Sequence, residues 1–274
     1  MSANYLNHTF IRSLFVPIQP AESQSDGWLL HRSFTPPPAL ASYIHSFWEM
    51  KGTVYFTETY PYSLVPDGSA DLLFSLHPDE PGGYLSVTDS AASIIDLQGD
   101  VHYLGVRFLP GCLLKFFPFS FHVLKGQTFA LNDVFGNWVK EWEEKILEAG
   151  SIEDSITFLS NLLLHRLSSQ IFETDPRFLH ALYLILQSEG NARIETEVAD
   201  FTSPRNLRRI FEHHTSLTPK SFSRVIRFQK TLGLMQQMSK ADGNRAFPDC
   251  GYFDQAHFIK EFKMFTGYTP TNML

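Results

Sequence analysis

Along "GYFDQAHFIKEFKMFTGYTP", residues 251–270, the apolar positions Phe258, Ile259, Phe262 and Phe265 recur at the one, three and four spacings of a single helical stripe. Asp254 reads as the N-cap of that helix, Gly267 as the left-handed residue just past its end, and Pro270 as a residue that cannot continue it. With the stripe facing inward, Ala256, His257, Lys260 and Lys263 point away from the core and Gln255 sits at the exposed amino end. "SPRNLRRIFEHHTSLTP", residues 203–219, repeats the pattern upstream. Ser203 falls on Asp254, Leu207 on Phe258, Phe211 on Phe262, Thr215 on Thr266, and Thr218 with Pro219 on Thr269 with Pro270. Ser203 is an N-cap followed by Pro204 at the first helical position, where a missing N–H costs nothing. Leu207, Ile210 and Phe211 form the inner stripe, which leaves Arg205, Arg208, Arg209 and Glu212 outside.

A third helix separates the copies. From Pro219 to about Met238, Phe222, Val225, Ile226, Gln229 or Leu232, and Met235 keep helical register. Roughly 20 residues at 1.5 Å each span about 30 Å, close to the roughly 34 Å of one B-DNA turn. A duplicated small helical unit on such a spacer fits a partner that itself repeats.

The front of the chain alternates instead. "YSLVPDGSADLLFSLH" (62–77) reads as two extended runs around a Pro-Asp-Gly turn, and "GYLSV" and "ASIIDLQGDVHYLGVRFLPG" add further strands. Within the last of these, His102, Leu104, Val106 and Phe108 alternate with Val101, Tyr103, Gly105 and Arg107. Several short strands predict a small barrel or sandwich. After Pro118 the period turns helical, in "NWVKEWEEKIL" and in "SIEDSITFLSNLLLHRLSSQIF", the latter carrying Ile156, Leu159, Leu162, Leu163 and Leu167. The fold class is therefore α+β, with strands in front and helices behind.

Charge divides the chain the same way. Residues 174–274 hold thirteen Lys and Arg against ten Asp and Glu, a net of +3, while residues 1–173 hold nine against nineteen, a net of −10. A surface that neutralises phosphates needs local positive charge whatever the chain total of −7. At 274 residues there is room for two domains with separate cores. Cys112 and Cys250 have no metal-type spacing and form no disulfide framework, which suits a reducing cytoplasm. The opening residues lack the basic-then-apolar pattern of a signal peptide, and "PAESQSDG" marks the first 26 as a loosely held arm. No run of apolar residues is long enough to span a membrane.

Segment 174–274 resembles the DNA-binding domain of the AraC/XylS family of bacterial transcription regulators, in which two helix-turn-helix motifs are joined by a long helix. "CGYFDQAHFIKEFKMFTGYTP" is similar to that family's signature, and "NLRRIFEHHTSLTPKSF" with "RVIRF" matches the first motif and the linking helix. The resemblance implies double-stranded DNA as partner. It places Arg205, Asn206, Arg208 and Arg209 at the first recognition helix and Gln255, Ala256, His257 and Lys260 at the second. Side-chain chemistry agrees: Arg suits guanine, Gln adenine, and Ala a thymine methyl. Two departures stand out. "RIETEVADFTSPRNL" lacks the usual turn Gly and is one residue short, and "RAFPDCGY" places Phe247 where the family has a small residue, with Pro248 shortening or bending the helix there. They motivate an alternative reading, a degenerate regulator that acts through protein contacts.

"FTPPPALASYIHSFWEM", "LVPDGSADLLFSL" and "HYLGVRFLPG" resemble the uncharacterised amino-terminal domain of a subset of these regulators. In the wider family a cupin-like barrel binds a small effector and the following helices form a homodimer. The implied layout is an arm (1–26), a β-rich effector domain (27–134), a helical dimerisation segment (135–173) whose leucine-rich helix is the candidate seam, and the DNA reader (174–274). Trp48, Asp67 and Arg107 are the candidate effector contacts, as large or charged residues on or near strands. The resemblance leans toward an activator that meets RNA polymerase in the cytoplasm.

Enzymatic readings find little support. His77 and His102 stand alone, His213 and His214 fall on the first recognition helix, and no His-x-His, Cys-x-x-Cys or His-Glu-x-x-His occurs, so no metal or other cofactor is expected. Neither a Gly-x-Ser-x-Gly elbow nor a Gly-rich phosphate loop is present.

Overall fold

The computed structural model describes residues 8–22, 27–77, 81–87, 90–117, 121, 128–169, 173–198, 202–237 and 250–273. Phe247, Pro248 and part of the first motif's turn (199–201) lie outside them.

Eight strands make the front: β1 (Leu29–Phe34), β2 (Ile44–Gly52), β3 (Phe56–Leu64), β4 (Ala70–Ser75), β5 (Gly82–Val87), β6 (Ser93–Gly99), β7 (His102–Phe108) and β8 (Thr128–Ala130). Six of them form an antiparallel sheet in the order β1-β2-β7-β4-β5-β8, and β3 pairs with β6 in a separate ribbon. The large sheet ends on β1 and β8, so of the two expected forms this is an open sandwich rather than a closed barrel.

The alternation read in β7 sets the layering. Leu104, Val106 and Phe108 enter a core shared with the helices α2 (Leu131–Phe135), α3 (Lys140–Glu148) and α4 (Ile152–Ser169), filled by Phe116, Phe117, Trp142, Leu159 and Leu163. A smaller cluster of Leu29, Met50, Phe56, Tyr62, Leu97 and Val101 ties the large sheet to the ribbon. On α4 the leucine face offered as a dimer seam is spent largely inside the molecule: Leu159 and Leu163 are buried, and Ile156, Leu162 and Leu167 pack partly covered against the same core.

Gly105 shows how tightly the ribbon-facing side is built. It pairs with Trp48 across β2 and β7, and a Cβ there would stand 2.0 Å from the indole ring. Gly105→Ala is expected to push the indole off its seat at a cost of about 1–3 kcal/mol, read as a lowered melting temperature together with a shifted tryptophan emission.

The C-terminal region is helical: α5 (Pro176–Gln187), α6 (Pro204–Thr215), α7 (Pro219–Gln237), α8 (Gln255–Thr266) and a last turn, α9 (Pro270–Met273). Its core is not sealed off from the front. Val65, Leu109 and Cys112 from the sandwich, Ile11 from α1 (His8–Leu14) and Phe15 just after it share one buried cluster with Phe178, Phe211, Phe222 and Phe262. Contrary to the expected loose arm, residues 8–22 are thus docked over their described length, because Ile11 and Phe15 are apolar one helical turn apart and lose nearly all contact with water. Gly68 lies against the Phe222 ring and Gly111 against Phe178, so loops of the sandwich sit directly on the helical bundle.

Candidate functional site

Both short helices carry the caps read from sequence. The Ser203 hydroxyl accepts from Asn206 N at 3.3 Å and the Asp254 carboxylate from His257 N at 2.7 Å. At the other ends Thr215 Oγ1 donates to Phe211 O at 3.0 Å and Thr266 Oγ1 to Phe262 O at 2.9 Å. Ser216 and Gly267 follow in the left-handed conformation, at φ 64° and 79°. The duplication therefore extends to hydrogen-bonding detail. α7 runs 19 residues between them, about 28 Å at the helical rise.

Arg205, Arg208 and Arg209 are exposed on α6, with Asn206 half-buried. Arg208 Nε donates to Glu212 Oε1 at 3.0 Å, and Arg209 donates to Asn206 Oδ1 at 3.1 Å. These contacts hold the guanidinium groups along the outer face without burying them. On α8, Gln255, Ala256 and Lys260 are exposed and His257 is half-buried. One expected stripe position is different: Ile259 is exposed and Glu261 occupies the buried place. Spacing explains this, since Glu261 lies three residues after Phe258 and four before Phe265 and so falls on their face. Phe253, just before the cap, is 92 % exposed.

Glu261 is the residue that sequence reasoning missed. Its carboxylate, 2 % exposed, accepts from Arg224 Nε at 2.5 Å and from Arg227 at 2.9 to 3.3 Å, both on α7. Arg227 also stands over the Tyr252 ring at 5.0 Å, and Arg224 over Phe265 at 5.7 Å. The clamp fixes α8 against α7. The available signal was two arginines three apart on α7 and one acid on an otherwise apolar stripe.

The front candidates converge on a second place. Between the large sheet and the ribbon lies a cavity of about 260 Å³ lined by Trp48, Tyr62, Tyr84, Tyr103, Asp71 and Arg107, among others. It adjoins a more polar one of about 380 Å³ that Asp67 lines and that shares Arg107, Asp71 and Gln19. Arg107 is buried and donates to Asp71 at 3.1 to 3.3 Å, with Asp67 at 3.7 Å and Glu22 at 3.9 Å. Trp48 Nε1 donates to the same Asp71 at 3.2 Å. Burial pushes the Asp71 carboxyl up despite Arg107. Asp67 suffers the same burial, but Arg107 and the bonds from Ser69 and Gln19 outweigh it and hold that carboxyl low. Asp67 is also the turn former expected, accepting from Ser69 N at 2.8 Å. His31 stacks on Tyr62 at 5.8 Å; burial pulls its pKa down, and its Nε2 has no hydrogen-bond partner among the described residues.

A polar thread joins the cavity to α7. Gln19 donates to Asp67 Oδ2 at 3.1 Å and to Val65 O at 2.8 Å, and its own oxygen accepts from Val65 N at 3.1 Å. One residue earlier, Ile18 N donates to Gln229 Oε1 at 2.7 Å, and Gln229 Nε2 donates to Ile18 O at 3.2 Å and Pro66 O at 2.7 Å. Gln229 is buried in α7, where the helical register had placed it. Ala92 N further donates to Met264 O at the end of α8.

Among the described residues no three His, Cys, Asp or Glu side chains gather as a metal would require, and no helix is long and apolar enough to cross a membrane. Cys112 and Cys250 are both buried.

Comparison with known proteins adds family matches at both ends. Residues 200–274 match a helix-turn-helix domain, and residues 32–130 a domain of unknown function, DUF6597. The chain is 26 % identical over 151 residues to the uncharacterized HTH-type transcriptional regulator YidL of Escherichia coli, covering 52 % of this chain and 50 % of that protein. It is 30 % identical over 127 residues to an uncharacterized HTH-type transcriptional regulator of Haemophilus influenzae, covering 41 % and 42 %. The chain thus spans half or less of those relatives. Among solved structures it is loosely similar to ToxT of Vibrio cholerae, at 15 % identity and a TM-score of 0.40 over 90 % of this chain and 97 % of the other.

Proposed function

We infer, from a chain that joins an AraC-type helix-turn-helix domain to the DUF6597 domain, that it is a sequence-specific DNA-binding transcription regulator whose sandwich holds a small effector. The observation that carries this is the pair of similarly capped helices, α6 and α8, each exposing basic and amide side chains and each packed against α7, through Phe211 on Phe222 and through Phe262 and Phe265 on Phe228. In this reading the N-termini of both helices enter successive major-groove segments. Arg205, Arg208, Arg209 and Lys260 meet guanine edges or phosphates, while Gln255 and Ala256 read bases. Asn206 and His257, half-covered, orient their neighbours.

The effector site is the cavity around Trp48 and Arg107, with Asp67 at its polar end. Control passes through the contacts of Gln19 and Gln229, because any ligand that moves residues 18–19 changes the seating of α7. A ligand shifts the equilibrium only by its differential affinity for the two seatings.

Binding of the intact chain to DNA at several salt concentrations tests the first part. Arg208→Ala or Lys260→Ala is expected to reduce the slope of log affinity against log salt by about one if a phosphate contact is lost. A lost base contact would instead relax preference at one position by about 1–3 kcal/mol. Phe253→Ser belongs in the same series, since an exposed ring beside the second N-terminus would change sequence preference without changing the slope. Affinity indifferent to all three would favour the alternative, a regulator acting through protein contacts.

A further inference from the structure

The cavity in the sandwich has a charge imbalance that its own residues leave open. Glu22, Asp67 and Asp71 supply three carboxylates around a single guanidinium, Arg107, the one Lys or Arg among the described lining residues. Arg107 is already engaged: it is buried, bonded to Asp71 and flanked by Asp67 and Glu22. An anionic ligand would have to draw Arg107 away from Asp71 and leave a buried carboxylate without its partner, which is strongly unfavourable. His31 offers no substitute, since burial favours its neutral form. Glu22, by contrast, stands 3.9 Å from Arg107 and keeps 45 % of its side chain exposed, with burial raising its carboxyl and Arg107 opposing that rise.

The remaining lining is aromatic and aliphatic. Trp48, Tyr62, Tyr84 and Tyr103 stand around the cavity with Met50, Leu73 and Leu97. Ring faces carry partial negative charge and attract cations, most of all organic ammonium groups. Resting on the reading of this cavity as the effector site, we propose that its ligand is a small organic cation, with an ammonium group set toward Glu22 and Asp71 and an apolar body among the four rings. Carboxylate excess and an aromatic lining are independent features of the site, and both favour the same ligand charge.

The test uses the intact chain, followed by thermal unfolding and calorimetric titration, with four probes of one body and different charge: phenethylamine, benzyltrimethylammonium, phenethyl alcohol and phenylacetate. The two cations are expected to raise the melting temperature and to bind more tightly than the alcohol, with phenylacetate inert. Glu22→Gln should weaken cation binding about tenfold, or ~1.4 kcal/mol, while leaving the unliganded melting temperature near that of the native chain. Leu73→Trp, which fills the cavity, should abolish binding. Phenylacetate binding as tightly as phenethylamine, and lost in Leu73→Trp, would overturn the ligand class and leave the effector site standing. Cation binding indifferent to Glu22→Gln and Leu73→Trp would place it elsewhere and overturn the proposal. Absence of binding by every probe would overturn both the ligand class and the effector reading of the cavity.

Discussion

Glu261→Ala is expected to lower unfolding stability by about 3–5 kcal/mol, the cost of breaking a buried ion pair by removing one partner. The carboxylate is 2 % exposed and takes bonds from two arginines on α7. Its removal leaves Arg227, largely buried, facing a void with a positive charge. The loss should show in urea unfolding followed by circular dichroism. DNA affinity should fall as well even at temperatures where the chain stays folded, because the clamp sets the angle of α8 on the linking helix. A triple replacement of Glu261, Arg224 and Arg227 by Met should recover most of the stability, since apolar groups of similar volume replace buried ion pairs without penalty in other proteins. DNA affinity should not recover with it. A deficit below about 1 kcal/mol would mean that the clamp is a surface pair in effect.

The clamp also shows why part of the site was hidden in the sequence. Caps, stripes and the αL residue Gly267 are local signals, each within a few residues of the next, and those features of α6 and α8 were legible. Glu261 was not, because spacing puts it on the stripe but the partners that let an acid be buried there lie 34 and 37 residues away. Ile259 was misplaced for the same reason: at one residue from Phe258 it borders the stripe, and only α7 decides which border is covered. The alternation in β7 correctly separated Tyr103 and Arg107 from Leu104 and Val106. It could not show that Asp71, 36 residues away, would pair with Arg107, since that depends on the register of β4 against β7. Docking of residues 8–22 escaped because Ile11 and Phe15 make too short an apolar pattern to stand out from loop.

Arg107→Met should be as costly as the loss of Glu261, and its cost should depend on pH. Met fills similar volume, so the change removes charge more than packing. Asp67 and Asp71, both fully or nearly buried, are then left without the guanidinium that offsets their desolvation. Burial already raises the Asp71 carboxyl in the native chain, and without Arg107 it raises both. A carboxyl whose folded pKa lies above its unfolded value of about 3.9 contributes stability below that value and loses it as pH rises through the folded pKa. The deficit of the variant relative to the native chain is therefore expected to be small near pH 4 and to grow to about 3–5 kcal/mol near pH 7, as urea unfolding across that range would show. In acid a proton takes the place of the lost guanidinium. If the ligand is a cation, benzyltrimethylammonium should raise the melting temperature of this variant at neutral pH more than that of the native chain, by supplying the missing charge. A deficit that stays constant with pH would assign Arg107 a packing role and remove the electrostatic basis for both expectations.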